Sequence, residues 1–252
     1  MAELLGQSVG DARFLAVLLA AALAGLVRGF SGFGAAMIFI PVVSALYAPQ
    51  TAVILLFVAD GVVTLPVVAR LFRHCVWREV APLAAGATLA YPLGVQLLLA
   101  LDPVPLRWTI SLLVLVLVAV LASGWRYRAK PSLAGSAAVG GAAGIAGGMS
   151  GIAGPPIVLF WLGGQGAAPV VRANLFTFFG FTTVVGGVLY FLADLFTGPR
   201  LVGAAALMPV YAAAIYLGAR AFRLASERTF RAIALTLCAA AALVGLPLWS
   251  GD

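Results

Sequence analysis

Apolar residues fall into ten runs, five on each side of a charged break. The first five cover 13–28, 34–47, 51–69, 80–100 and 106–124; the second five cover 134–148, 155–163, 170–193, 201–219 and 230–249. Runs of about 18 or more apolar residues mark membrane-crossing helices. The strand-like alternation of a transmembrane barrel is absent. The pattern predicts an all-α polytopic membrane protein. Its longest polar stretch, 125–132, reads as a loop, which leaves no room for a soluble domain.

Two glycine-rich segments interrupt the runs at matching places. Ala24 to Gly32 reads A-G-x-x-x-G-x-S-G, and Ala143 to Gly151 reads the same at an offset of 119 residues. Glycine clusters break helices, a serine before an apolar run reads as an N-cap, and Pro155 and Pro156 suit the first turn of a new helix. Each motif predicts a helix, a break, and a new helix starting at the serine. A second pair agrees: Leu93-Gly94 precedes Arg107 as Leu217-Gly218 precedes Arg231, at an offset of 124. Two matching pairs in the same order predict an internal repeat, with 1–125 as the first transmembrane repeat, 126–133 as a cytoplasmic linker and 134–252 as the second.

Composition sharpens this picture. The 252 residues are 63% hydrophobic and 9% charged, with a mean hydropathy of +1.13; soluble chains carry about a quarter charged residues. The net charge of +7 is therefore a topology signal and not a nucleic-acid footprint. Arg70, Arg73 and Arg78, then Arg126, Arg128 and Lys130, then Arg220, Arg223, Arg228 and Arg231 share one side if each motif pair adds an even number of crossings. Arg13, Arg107 and Arg200 are then outside. The positive-inside rule selects this count, which inverts the second half relative to the first and leaves both termini outside. Glu3 and Asp11 precede the first run without the basic start of a cleaved signal peptide, so that helix is expected to be retained.

The elements flanking the motifs are shorter than the roughly 20 residues a crossing needs. They are expected to dip in as re-entrant hairpins, leaving three full transmembrane helices per half. Non-helical backbone at that depth survives only when buried or lining a wet cavity, and an inverted repeat with broken helices is the architecture of secondary transporters. Converging helix N-termini offer N–H donors and partial positive charge to an anion. The candidate substrate residues are Arg28, Gly29, Ser31, Gly32 and Gly34 in the first motif, Gly148, Ser150, Gly151 and Gly154 in the second, and Asn174 and Thr177 on the helix that follows. The alternative is that the glycines serve helix packing and that Asn174 and Thr177 bond neighbouring helices. Arg28 is either a buried cation that needs an anionic partner or one more topology charge. Asp60, near the centre of its run, is the candidate for proton coupling; its alternative role is structural, with Arg28 as a partner.

Other chemistry is thinly supported. Cys75 and Cys238 stand singly, so neither a disulfide, a metal site nor a cofactor is indicated. Both motifs contain G-x-S-G, the nucleophile motif of intramembrane serine proteases, but His74, the single histidine, falls in a basic loop. A serine nucleophile needs a base at the same depth, so no catalytic residue is assigned. No nucleotide-binding loop is present. Trp77, Trp108, Trp125 and Trp249 stand near run ends as interfacial anchors, and Gln165 reads as loop.

In Gly29-Phe30-Ser31-Gly32-Phe33-Gly34 with Pro41, and in Gly148-Met149-Ser150-Gly151-Ile152-Ala153-Gly154-Pro155-Pro156, the chain resembles the TauE/SafE family of sulfite exporters and 4-toluene sulfonate uptake permeases. The basic central loop and the repeat of about 120 residues fit the same resemblance. It implies a bacterial inner-membrane carrier for a small anion: sulfite, an organosulfonate such as sulfoacetate, or a related carboxylate. The expected partners are that anion and the lipid bilayer, with no nucleic acid; protons as coupling ion rest on Asp60, and a homodimer is compatible with this reading. An anion channel and a non-transporting membrane protein are the alternatives.

The topology has a direct test. Cysteine labelling or reporter fusions at Arg128 and Arg223 should place both on the cytoplasmic face; finding them on opposite faces ends the inverted-repeat argument.

Overall fold

The computed structural model describes residues 12–124, 132–162, 168–221 and 227–248. They form ten α-helices and no strand: α1 (Ala12–Ser31), α2 (Ala35–Leu46), α3 (Pro49–Leu71), α4 (Trp77–Ala100), α5 (Pro103–Ala122), α6 (Leu133–Ser150), α7 (Gly154–Leu162), α8 (Ala168–Leu192), α9 (Gly198–Ala221) and α10 (Glu227–Gly245). A 3-10 turn, Phe72–His74, links α3 to α4. The basic residues Arg126, Arg128, Lys130 and Arg223, together with Glu3, Asp11, Gln165, Trp125 and Trp249, lie outside the described residues.

Among the described residues six helices are long and apolar enough to cross a membrane: α1, α3, α4, α5, α8 and α9. Their outward faces carry large apolar side chains, with Leu89 at 83% and Phe191 at 69% exposure. Water would penalise such faces, whereas hydrocarbon accepts them. Trp77 and Trp108 are partly exposed at the starts of α4 and α5, where interfacial anchors belong.

Two expectations about the motifs are corrected. α1 and α6 run straight through their glycines and end at Ser31 and Ser150, so each serine closes a helix instead of opening the next. Their hydroxyls donate to the carbonyls of Val27 (2.7 Å) and Ala146 (2.8 Å), one turn back, as a residue in a helix does. The new helices begin later, α2 after Gly34 and α7 at Gly154, with Pro155 and Pro156 in its first turn. As a result α1 has 20 residues and is not too short to cross; α2, with 12, and α7, with 9, are short. The physical reason is the solvent. A helical glycine costs about 1 kcal/mol relative to alanine, but an open backbone group in hydrocarbon costs several. The chain stays helical until it reaches Gly32, Gly34 and Gly151, which adopt φ of 77°, 92° and 68°, a region closed to most side chains.

The chain forms two compact units. The first holds α1, α2, α3 as far as Asp60, α5, α9 and α10; the second holds α3 from Gly61, α4, α6, α7 and α8. In the first, α1 lies on α9: a Cβ on Gly25 would stand 2.8 Å from the Tyr211 carbonyl, and Cβ atoms on Gly29 and Gly218 would overlap the carbonyls of Ile215 and Leu26. In the second, α6 lies on α4: Cβ atoms on Gly144 and Gly94 would overlap the carbonyls of Ala87 and Ile145, and one on Gly148 would stand 2.5 Å from that of Tyr91. Shifting Gly25, Gly29 and Leu26 by 119, and Tyr211, Ile215 and Gly218 back by 124, turns the first set of contacts into the second. Each pair joins the first element of one half to the fourth element of the other. The remaining helices close the units: α7 brings Ile157, Phe160 and Trp161 against Val80, Leu83 and Phe178, and Arg107 of α5 donates to the Gly245 carbonyl at the end of α10 (3.2 Å).

This contact predicts opposite outcomes at adjacent glycines of α6. A Cβ on Gly140 would overlap the Leu83 carbonyl, whereas one on Gly141 meets nothing nearer than 3.8 Å. Gly140→Ala should cost about 1–3 kcal/mol or more through overpacking, and Gly141→Ala should be neutral or gain up to about 1 kcal/mol of helix propensity. Thermal unfolding in detergent measures both; equal effects would contradict the packing.

Candidate functional site

The break after α1 is surrounded by charge. Arg28, in the last turn of α1, reaches Asp60 with two prongs: Nε donates to Oδ1 (3.1 Å) and Nη2 to Oδ2 (3.0 Å). Its Nη1 donates to the carbonyl of Gly32, just past the helix end. Tyr211 adds a third donor to the carboxylate, its hydroxyl lying 2.7 Å from Oδ1. The side chains of Arg28 and Asp60 are 10% and 26% exposed, and Tyr211 is buried. Asp60 stands midway along α3 and Tyr211 midway along α9. The reading of Arg28 as a cation with an anionic partner and the alternative that pairs Asp60 with it thus meet in one contact, a bidentate pair of the kind guanidinium and carboxylate planes favour, with the cation also satisfying a helix C-terminus.

Ser31 sits beside this pair. Its hydroxyl lies 2.7 Å from the Val27 carbonyl and 2.6 Å from that of Phe33, and with one hydrogen it donates to one of them at a time. At Gly32 a Cβ would meet nothing within 4 Å, whereas the Cα of Gly29 faces Ile215 of α9. Space to approach the backbone therefore exists at Gly32.

In the second unit, among the described residues, no ion pair stands at the break after α6. Ser150 is fully buried, and the amide of Gly151 returns to the Gly147 carbonyl (2.7 Å). The carbonyls of Gly147 and Gly148 share the hydroxyl of Tyr190, at 3.1 and 3.0 Å. Tyr91 stands edge-on to Tyr190, its hydroxyl 3.5 Å away. Gly148 packs against α4 at Tyr91.

Asn174 and Thr177 share a face of α8 but differ in state. Asn174 is fully buried and satisfied: its Oδ1 accepts from the Val76 amide (2.8 Å) and its Nδ2 donates to Glu79 Oε2 (2.8 Å). The same Oε2 accepts from Trp161 Nε1 at 3.1 Å, so Glu79 ties the start of α4 to α7 and α8. Thr177 is 2% exposed and its hydroxyl oxygen has no hydrogen-bond partner among the described residues, a state that costs about 1–3 kcal/mol. Sequence reasoning missed Glu79, Trp161, Tyr211 and Tyr190. Glu79 carried a signal, an acidic residue in the first turn of a helix, masked by the arginines around it.

Long apolar helices, two glycine–serine breaks and a partly buried ion pair beside one of them define a multi-pass membrane protein with charge placed inside its spans. The family model described as Sulfite exporter TauE/SafE matches residues 17–244 of the chain, and the chain belongs to that family, one of membrane transporters of sulfur anions. No curated protein and no solved structure matches it.

The pair predicts a non-additive stability response. Asp60→Asn leaves a buried guanidinium without its anion, which costs about 3–5 kcal/mol; Asp60→Asn combined with Arg28→Gln removes both charges and should cost less than the single change. Unfolding temperatures of the two variants in detergent decide this, and a double variant less stable than Asp60→Asn would show that the charges do not depend on each other.

Proposed function

We propose that the chain is a proton-coupled secondary carrier of a small sulfur oxyanion or organosulfonate in the bacterial inner membrane, with both termini outside. The observation that carries this reading is the Arg28–Asp60 pair, set midway along α3 beside the broken backbone at Gly32. Ionisable groups at membrane depth are expensive, and functional by default.

The chemistry follows from the fork. The Nε and Nη2 edge of Arg28 holds two carboxylate oxygens, and sulfite or a sulfonate presents two oxygens to the same edge. An arriving anion displaces Asp60 from Arg28. The carboxylate then keeps only the Tyr211 hydroxyl and takes up a proton in place of the cation it has lost, because an isolated buried charge is too costly to persist. Anion and proton thus occupy the carrier together and leave together. In the first unit the substrate contacts are Arg28, Ser31, Gly32 and Gly34, with Gly29 holding the helix beneath them. In the second unit, taken by itself, Ser150, Gly151, Gly154 and the hydroxyl of Thr177, which has no hydrogen-bond partner among the described residues, are the candidate substrate groups, with Gly148 and Asn174 supporting the backbone around them.

Proteoliposomes test this with labelled sulfite and a small alkanesulfonate. Saturable, pH-gradient-driven accumulation is expected in the wild type. Asp60→Asn should lose accumulation while still exchanging labelled for unlabelled anion, and Tyr211→Phe, which keeps the ion pair, serves as the milder variant if the first fails to fold. Accumulation that survives in Asp60→Asn would make the aspartate structural, and high-rate electrical current without saturation would make the protein a channel.

A further inference from the structure

A cavity of about 210 Å³ lies in the first unit, and neither Arg28 nor Asp60 lines it. Polar groups gather at one end of it: Tyr47 after α2, Thr51 in the first turn of α3 and Arg200 in the first turn of α9. Thr197 adds a further hydroxyl to the lining, and the rest is apolar, with Val17, Leu55 and Leu207 all buried. Leu207 is seven residues beyond Arg200 on α9, which places it about 10 Å further along the helix axis at 1.5 Å per residue.

Arg200 is unevenly served. Its Nη1 donates to the Leu195 carbonyl at 2.9 Å, and among the described residues no carboxylate pairs with it. A guanidinium has five N–H donors in a rigid fork, so most of this one's capacity remains for an acceptor in the cavity. A purely polar anion would satisfy the fork and leave the apolar wall bare. A neutral hydrocarbon would cover the wall and leave the cation without a counter-charge. A molecule with an acidic head and an apolar body answers both demands, and the volume suffices, since a dry cavity of about 150 Å³ holds a benzene ring.

We propose that this cavity binds an anionic amphiphile, its acidic head on the Arg200 guanidinium beside Thr51 and its hydrocarbon body against Val17, Leu55 and Leu207. The head can be a sulfonate or carboxylate of a water-soluble compound or the phosphate of an acidic lipid. The site uses neither Arg28 nor Asp60, so it stands or falls independently of the transport mechanism.

The test is calorimetric titration of the purified full chain in an uncharged detergent with 1-hexanesulfonate, ethanesulfonate and 1-hexanol, all read in the Arg28→Gln/Asp60→Asn background so that the proposed transport site contributes no binding. Hexanesulfonate should bind at least tenfold tighter than either of the others. Arg200→Gln should weaken it at least tenfold while leaving hexanol unchanged, Arg200→Lys should recover part of the loss, and Ala206→Phe, which fills the cavity from its wall, should weaken hexanesulfonate with the charge intact. Competition by dihexanoyl phosphatidylglycerol but not by dihexanoyl phosphatidylcholine would assign the site to an acidic lipid; no competition by either would assign it to a soluble amphiphile. Equal affinity in that background with and without Arg200→Gln, or ethanesulfonate binding as tightly as hexanesulfonate, would overturn the proposal, as would displacement by both lipids alike.

Discussion

Backbone meets backbone where α1 crosses α9 and where α6 crosses α4, with a carbonyl oxygen close to the position a Cβ would occupy. In a bilayer, apolar side chains gain little by leaving lipid for one another, so helix association depends on close van der Waals contact, and small residues permit it. Gly25, Gly29 and Gly218 in one unit, and Gly144, Gly148 and Gly94 in the other, provide that approach. This contact fixes where the helices end. It holds α1 and α6 helical through sequences that would fray in water, and so pushes both breaks to the residues after Ser31 and Ser150.

That displacement explains which parts of the structure were legible in the sequence. The spans were, because length and apolarity alone set them: 51–69 falls within α3, and 170–193 follows α8 to one residue past its end. The presence of two breaks was legible in the paired motifs, but their position was not, since the rule that glycine breaks helices is calibrated on water. The Arg28–Asp60 contact was named as one alternative for each residue, because a charge in a span needs a counter-charge. Tyr211 was not legible. A tyrosine in an apolar run looks like hydrophobic bulk until the fold sets its hydroxyl 2.7 Å from a carboxylate. Trp161 was hidden in the same way inside the short run of α7, and its indole N–H is what singles out Glu79 from the charged turn around it.

The repeated contacts also show where the halves part company. Both breaks face the same problem, because the carbonyls at a helix C-terminus have lost their amide partners and hydrocarbon supplies no water to replace them. In the second unit the Gly147 carbonyl keeps the Gly151 amide, and a neutral group, the Tyr190 hydroxyl shared between the carbonyls of Gly147 and Gly148, serves the rest. The first unit uses Arg28, which occupies the position equivalent to Gly147 and donates to the Gly32 carbonyl. A cation there requires Asp60, and Asp60 in turn engages Tyr211. Taking two charges out of water costs several kcal/mol per ion, which the pair offsets only through good geometry and further hydrogen bonds. The same chain holds an uncharged solution to the same problem, so capping a helix does not by itself explain the ion pair. What Arg28 and Asp60 add to a tyrosine hydroxyl is the capacity to change partners: a guanidinium can take another anion, and a carboxylate can take a proton. On the proposed reading, carriage of an anion together with a proton uses both capacities, and Arg28 and Asp60 hold them side by side at the first break.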